Sequence, residues 1–347
     1  MISNITRSRC FGLPSLQPRS AWGALNTMLG SRRWSSSQCS HDSADVVICG
    51  AGLAGIATAY YLAVQKGIRR VVLVDPRSPL EYTSSRSTEC FRNLWQDPCM
   101  ARLMTRSIDL IERLHSSADP HPFTLRRDGY VWFTNDAATA SEFLSTGQRS
   151  QEAGAGSVRV HDSVGSYRRL DDAQAWRAGG VDILHGSAAI RSVFPFISHD
   201  VLAALHARKA GSLDAHQMGM YMLEQAKLHG TRVVRGRLTD IHVQQNSVSG
   251  CLVAVPAAAA AGLPTPPDKL QYISCGVMVN GAGPACLAVH RMLNHAITHQ
   301  QRTLNQLHPF VQQPQVPHSF QLPDLPVTNE IHAKVTAADC PGDAVHI

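Results

Sequence analysis

The nine cysteines of this 347-residue chain form no CxxC pair and follow no regular spacing. That excludes a zinc ribbon, a thioredoxin-type site and a disulfide framework, and leaves scattered reduced thiols. No apolar run reaches transmembrane length, so no membrane span is expected. Charge is sparse, at 17% against 44% hydrophobic residues, which fits a folded globular chain and excludes a disordered one. The net charge of +6 is partly carried by the N-terminal segment, and no nucleic-acid motif accompanies it. A nucleic-acid footprint is therefore not expected.

The first 41 residues lack any acid; Asp42 is the first. The same stretch carries Arg7, Arg9, Arg19, Arg32 and Arg33 and the run Ser35–Ser36–Ser37. An Arg-rich, Ser-rich, acid-free leader has the composition of an organelle transit peptide. The expectation is a mitochondrial (matrix) address, with a chloroplast as second choice, and residues 1–41 are set aside from the fold. The length of the remainder suits one large or two moderate domains.

The information-rich stretch runs from Asp45 to Asp75, DVVICGAGLAGIATAYYLAVQKGIRRVVLVD. VVIC reads as a buried parallel strand. Gly50, Ala51, Gly52, Leu53, Ala54 and Gly55 follow at once, then a helical run to Lys66 with Gly67 as its stop. VVLV is a second buried strand, and Asp75 ends it. Gly50 permits the tight turn, Gly52 lets the backbone approach a pyrophosphate, and Gly55 lets helix and strand pack closely. The helix N-terminus offers unpaired N–H groups to phosphate, and Asp75 can accept from ribose hydroxyls. This strand–turn–helix–strand context makes the glycine pattern a dinucleotide site, without separating FAD from NAD.

Pro76 opens a polar loop, PRSPLEYTSSRSTECFRNLW, expected to pass into a helix from about Ser87 to His115. Here the chain resembles the D-amino-acid oxidase and sarcosine oxidase (DAO) family of FAD-dependent oxidoreductases. Thr83, Ser84, Ser85, Arg86, Ser87 and Thr88 match the Ser-rich segment that in this family passes the diphosphate toward the flavin ring. The resemblance continues in order through Arg127–Phe133, Phe194–Pro195–Phe196 and Gly211–His216. Val277–Pro284 is similar to the family's strand and Gly-rich turn beside FAD, with Ala282 and Gly283 at the turn. Leu238 sits where relatives contact the adenine through the backbone. Two departures stand out. Asp75 replaces the more usual Glu, and the sequence stops at Ile347, where relatives continue to a late Gly-rich, Pro-Asp stretch against the flavin. A chain short of the last part of its FAD domain is therefore expected.

The resemblance implies an α/β fold in which a Rossmann-like FAD-binding domain interleaves with a mixed β-sheet substrate domain. The expected segments are 42–120 and 206–300 for FAD, 121–205 for the substrate domain, and 301–347 for the start of its second part. Asp214 reads as the N-cap of a helix ending at Gly230, and Thr231–Arg235 as the strand after it. Strands are expected at Ser247–Val255 and Gln271–Asn280, with a Pro-broken loop between them and a Gln/Pro-rich loop over 300–324.

The resemblance also implies a small amine or amino-acid substrate and an electron acceptor such as oxygen, a quinone or an electron-transfer flavoprotein. A substrate carboxylate needs an arginine. Arg86, Arg92 and Arg127 are the candidates, with Arg92 first; its alternative role is an i,i+3 helix pair with Glu89. Glu89 is a candidate proton acceptor. His332 and Lys334, also candidate catalytic residues, alternate on an expected strand and so would share a face, lining the substrate cavity or, alternatively, a solvated side of the sheet. Residues 83–95 lack histidine, so non-covalent FAD is expected. The other readings are an NAD(P)-dependent dehydrogenase, and a non-catalytic assembly protein or inactive short form that keeps FAD as structural glue.

Overall fold

The computed structural model describes residues 39–168, 172–245, 247–257 and 268–307. The chain enters as an edge strand, β1 (Cys39–Ser43), so the last three residues of the expected leader belong to the fold. Asp42 on this strand accepts from Arg232 Nη1 at 2.7 Å and Nη2 at 3.1 Å. That hydrogen bond holds its carboxyl below the usual range. Residues 1–38, which hold the rest of the leader, lie outside the described residues.

The fingerprint forms as expected. β2 (Val46–Cys49) is fully buried, α1 (Leu53–Tyr60) continues into a π-helical turn over Tyr61–Gln65, and β3 (Val71–Asp75) lies parallel to β2. Alternation along these strands splits their side chains between two cores. Val46, Ile48, Val71 and Leu73 face a helical layer, while Val47, Cys49, Val72 and Val74 face a second sheet.

The helix expected from Ser87 does not form there. A short 3₁₀ turn occupies Thr83–Ser85, Glu89 takes φ 57, and Cys90–Arg92 is a strand, β4. The Ser87 hydroxyl accepts from the Glu89 N–H at 3.0 Å, an ST-type bond that competes with helix propagation. The helix α2 (Pro98–His115) starts where the local chemistry favours it. Asp97 caps Met100 N–H at 2.8 Å, and Pro98 stands in the first turn, where its missing N–H is harmless.

β5 (Leu125–Arg126) leads to β6 (Tyr130–Thr134), α3 (Ala137–Glu152), β7 (Val158–His161), α4 (Asp172–Ala178), β8 (Val181–His185), α5 (Ser187–Val193) and β9 (Ala203–Ala207). The four strands β6-β9-β8-β7 form a mixed sheet, with β7 and β8 parallel. α3 covers one face through Phe143, and Ile190 of α5 packs on the other. The expected 121–205 segment ends inside β9, which runs to Ala207.

The chain then returns. β10 (Ala210–Leu213) pairs with β4 and β5 in a small connecting sheet. α6 (Ala215–Leu228) is capped by Asp214, which accepts from Gln217 N–H at 2.7 Å. Its Leu223 and Ala226 are fully buried in the core that contains α1. β11 (Arg232–Arg235) extends the parallel sheet. β12 (Arg237–Gln244) and β13 (Ser247–Val255) form an antiparallel pair joined by β14 (Lys269–Ser274).

The single strand expected over Gln271–Asn280 is two. β14 ends at Ser274 in the antiparallel sheet, and β15 (Val277–Asn280) pairs in parallel with β2. Cys275 and Gly276 make the transfer between sheets. Finally, α7 (Cys286–Leu307) runs through positions 300–307, which were expected to be loop. Its Val289, Met292 and Leu293 form an apolar stripe that packs the first turns against the second core, and the helix continues from there into the Gln-rich positions. His332 and Lys334, and most of the expected 301–347 segment, lie outside the described residues.

Candidate functional site

The parallel sheet has the order β11-β3-β2-β15. A cleft of about 130 Å³ opens at the carboxyl ends of these strands. It is lined by Gly50–Ala54, Asp75, Arg77, Ser78, Leu80–Ser84 and Gly281–Pro284. The position is the one physics favours, where strand ends and a helix N-terminus converge.

Gly50 has φ 103, and a Cβ there would lie 2.3 Å from the Gly281 carbonyl oxygen. The two Gly-rich turns therefore touch backbone to backbone, and only glycine permits it. A Cβ on Gly55 would meet the Gly50 carbonyl oxygen at 2.0 Å, which fixes α1 against the turn. Gly52 is different. Its added Cβ would meet only the Ser84 hydroxyl, at 3.1 Å, so this glycine keeps open a concavity above the start of α1. α1 has no side-chain cap of its own at Gly52; the Leu53 N–H donates to Ser84 Oγ at 3.0 Å. A hydroxyl thus stands where the dipole of α1 attracts phosphate oxygens.

The Asp75 carboxylate is held at both oxygens, by Ala51 N–H at 2.8 Å and Arg77 N–H at 2.9 Å. The first bond ties strand β3 to the Gly-rich turn. Each carboxylate oxygen has a second lone pair, so a ribose hydroxyl can still donate to it. The glycine concavity, the helix N-terminus and this oriented carboxylate fit the adenosine diphosphate half of a dinucleotide.

The other predicted residues distribute unevenly. Ala51, Leu53, Ala54, Thr83, Ser84, Ala282 and Gly283 line the cleft. Pro76, Ser85, Arg86, Ser87 and Thr88 do not. Ser85 turns its hydroxyl back to the carbonyls of Glu81 and Tyr82. Leu238 belongs to β12 and packs with Cys251 and Val253 in the second core, away from the cleft lining. Arg77, Ser78, Leu80, Glu81, Tyr82 and Pro284 also line the cleft without having been singled out. Their signal was their place between Asp75 and Ser84, or beside Gly283.

The three arginine candidates separate clearly. Arg127 donates from Nε to Glu112 at 3.0 Å and lies over Trp176. Arg86 is exposed beyond the 3₁₀ turn. Arg92 stands at the end of β4 with its guanidinium carbon 4.7 Å from the Trp95 ring centroid, 5.5 Å from Trp132 and 5.8 Å from Tyr130. The helix pair with Glu89 is replaced by this stacking because residues 89–92 are not helical. Among the described residues no carboxylate or carbonyl accepts from Arg92. Tyr130 and Trp132 alternate on β6 and so share a face, a pairing that the sequence displayed. Trp95 joins them only through the turn after β4.

Among the described residues no His, Cys, Asp or Glu group is arranged for a metal, and no helix is long and apolar enough to cross a membrane.

Comparison with known proteins agrees with this geometry. The family model described as FAD dependent oxidoreductase (DAO) matches residues 45–328. The beta subunit of sarcosine oxidase from Rhizobium meliloti (strain 1021) is 24% identical over 257 residues, covering 69% of this chain and 55% of that protein. Among solved structures, L-proline dehydrogenase from P. horikoshii superposes with a TM-score of 0.53 at 17% identity, over 72% of this chain and 56% of that one. Glycine oxidase from Geobacillus kaustophilus gives 0.51 at 15%, over 72% and 58%. The chain spans little more than half the length of these relatives.

Proposed function

Because the chain belongs to the FAD-dependent oxidoreductase (DAO) family, we propose that it oxidises a C–N bond of a small amine or amino acid whose carboxylate is bound by Arg92. The observation that carries this reading is the state of that guanidinium. It is held among three aromatic rings and, among the described residues, meets no protein anion. It also ends the segment that begins in the cleft at Thr83 and Ser84. The names of the relatives support the substrate class, since they act on sarcosine, proline and glycine.

FAD, held without a covalent link, would lie with its diphosphate against Gly50–Gly52 and Ala282–Gly283 and its ribose at Asp75. When bound, it supplies the two-electron acceptor that the side chains lack. The chain's own contribution is orientation. Arg92 offers a planar fork of donors that fixes a carboxylate in two directions, and the rings around it limit the rotamers it must give up on binding. Glu89 is the proton-accepting candidate nearest in sequence, and its left-handed backbone, with its carbonyl accepting from Leu213 N–H at 3.0 Å, fixes where β4 begins. Turnover then requires an acceptor such as oxygen, a quinone or an electron-transfer flavoprotein. The acid-free leader supports a mitochondrial matrix address.

The test is the visible spectrum of the purified full-length chain, before and after anaerobic addition of N-methylglycine, glycine or proline. The expected result is two flavin bands that bleach with one of these. A colourless protein, or a coloured one that no amine or amino acid bleaches, overturns the proposal.

A further inference from the structure

Arg92 also opens onto a second cavity, of about 490 Å³, formed between the turn after β4 and the inner face of α3. Thr139, Glu142, Phe143, Thr146 and Ser150 recur at three- and four-residue spacing, so one stripe of α3 makes the wall. Trp132 and Leu205, directly opposed on β6 and β9, make the floor. Leu94 and Trp95 close the other side. The volume lies within the ~300–1,000 Å³ of sites that enclose drug-sized molecules. It is far more room than an N-methylglycine needs.

The lining specifies chemistry. The guanidinium, which meets no protein anion among the described residues, calls for an anionic group at one end. Leu94, Trp95, Trp132, Phe143 and Leu205 call for an apolar or aromatic body, which would stack or pack on them. Two carboxylates also line the cavity, Glu142 at the exposed rim and Asp97, which accepts from Met100 N–H; their charge disfavours a second carboxylate on the ligand.

We infer that this cavity is a specificity site for a monocarboxylate with a bulky apolar or aromatic body, the carboxylate on Arg92 and the body against Trp132, Phe143 and Leu205. The inference rests on the assignment of Arg92 as the carboxylate partner and narrows the substrate to acids larger than N-methylglycine.

The experiment is calorimetric titration of the purified full-length protein with 3-phenylpropanoate, acetate and 2-phenylethylamine, with the visible spectrum of the same sample recorded first. 3-Phenylpropanoate is expected to bind about 30-fold tighter than acetate, the effect of burying one phenyl group. The amine, which lacks the carboxylate, is expected to bind at least about tenfold more weakly than 3-phenylpropanoate. Arg92→Gln should weaken both acids. Phe143→Trp, which fills the cavity, should remove the preference for the phenyl acid. Phe143 is a core residue, so Thr146→Phe, on the same stripe but half-buried, serves as a second filler. Equal affinity for the two acids overturns the inference, as does no binding of either, or a preference that survives in either folded variant. A colourless protein that still shows the preference sinks the flavoenzyme reading alone; a coloured one without it sinks the specificity site alone.

Discussion

Asp182 in β8 offers the sharpest test of how the mixed sheet is held together. Its carboxylate is fully buried and accepts from Arg159 Nε at 2.5 Å, Arg159 Nη2 at 2.7 Å and Arg208 Nη1 at 2.8 Å. It also meets His161 Nε2 at 3.1 Å. Arg208 is 3% exposed and spends its other donors on Gly179 O at 2.6 Å and Ser157 O at 2.7 Å. Consider Asp182→Asn. The shape is kept, but the only anion in contact with Arg208 among the described residues is lost, and one carboxylate acceptor becomes an NH₂ that faces an N–H. Removing one partner of a buried ion pair costs roughly 3–5 kcal/mol. With a urea slope of about 3 kcal/mol per molar, the upper end of the usual range for small proteins, the unfolding midpoint should fall by about 1–1.7 M. Arg159 is different because its side chain is 28% exposed. Arg159→Met should therefore cost only about 1–2 kcal/mol, since water can share in solvating what remains. The double change Asp182→Leu with Arg208→Met should recover much of the loss, because an apolar replacement removes both charges from the interior. Urea melts followed by circular dichroism decide the matter. If Asp182→Asn moves the midpoint no further than Arg159→Met, the buried-charge argument is wrong.

The same group sets an acid limit. Burial alone would raise the Asp182 carboxyl, but the Arg159 hydrogen bond and the Arg208 charge outweigh it and hold the group below its usual range. A depressed folded-state value stabilises the fold above the ordinary carboxylate pKa of about 3.9 and loses that contribution as pH falls through the folded value. Wild-type stability should thus fall with acid below about pH 4, and Asp182→Asn should lack that part of the slope.

Other outcomes follow from the cleft and the thiols. Gly55→Ala, with its Cβ 2.0 Å from a backbone oxygen, should destabilise the chain by at least about 2 kcal/mol; Gly52→Ala, which meets only Ser84 Oγ, should fold with nearly wild-type thermal stability yet lose flavin absorbance on dialysis. A Gly52 variant that keeps its flavin would contradict the diphosphate assignment. Asp75→Ala removes acceptors from Ala51 and Arg77 N–H and should cost about 1–2 kcal/mol in a denaturant melt. Burial pushes the Cys49 thiol up to about 12 and raises Cys251 and Cys275 as well, so maleimide mapping by mass spectrometry should label Cys90 and Cys99 at once and these three only after unfolding.

The legible parts of this chain are those whose chemistry is local. Asp214, followed by a helical stripe and stopped at Gly230, could be read as a capped helix because cap and stop lie in the sequence beside what they terminate. The glycines of residues 50–55 were legible for a similar reason, since their spacing carries the turn. Even there the sequence reading was incomplete: what makes Gly50 obligatory is Gly281, more than two hundred positions away. The misread parts depend on distant partners. The segment from Ser87 looks helical by composition, but β10 draws Cys90–Arg92 into an antiparallel ladder, and tertiary pairing overrides propensity. Gln271–Asn280 looks like one strand because both halves are apolar, yet its halves pair with β13 and β2 in different sheets.

Arg92 brings these two kinds of information together. Its importance was inferred from resemblance, while its expected neighbour, Glu89 one helical turn before, was inferred from a helix that does not exist. Once β4 is a strand, Ala210 pairs with Arg92 in the ladder, and the side chain reaches the aromatic face of β6 rather than an acid. That change matters chemically. A guanidinium paired with a glutamate would have its charge already compensated, as Arg127 has with Glu112. One held by ring faces keeps its hydrogen-bonding fork available, because a cation–π contact attracts the charge without occupying the N–H donors in the ring plane. The strand that displaced the expected helix is therefore what leaves the Arg92 fork without an acid partner among the described residues, as the proposed carboxylate role requires.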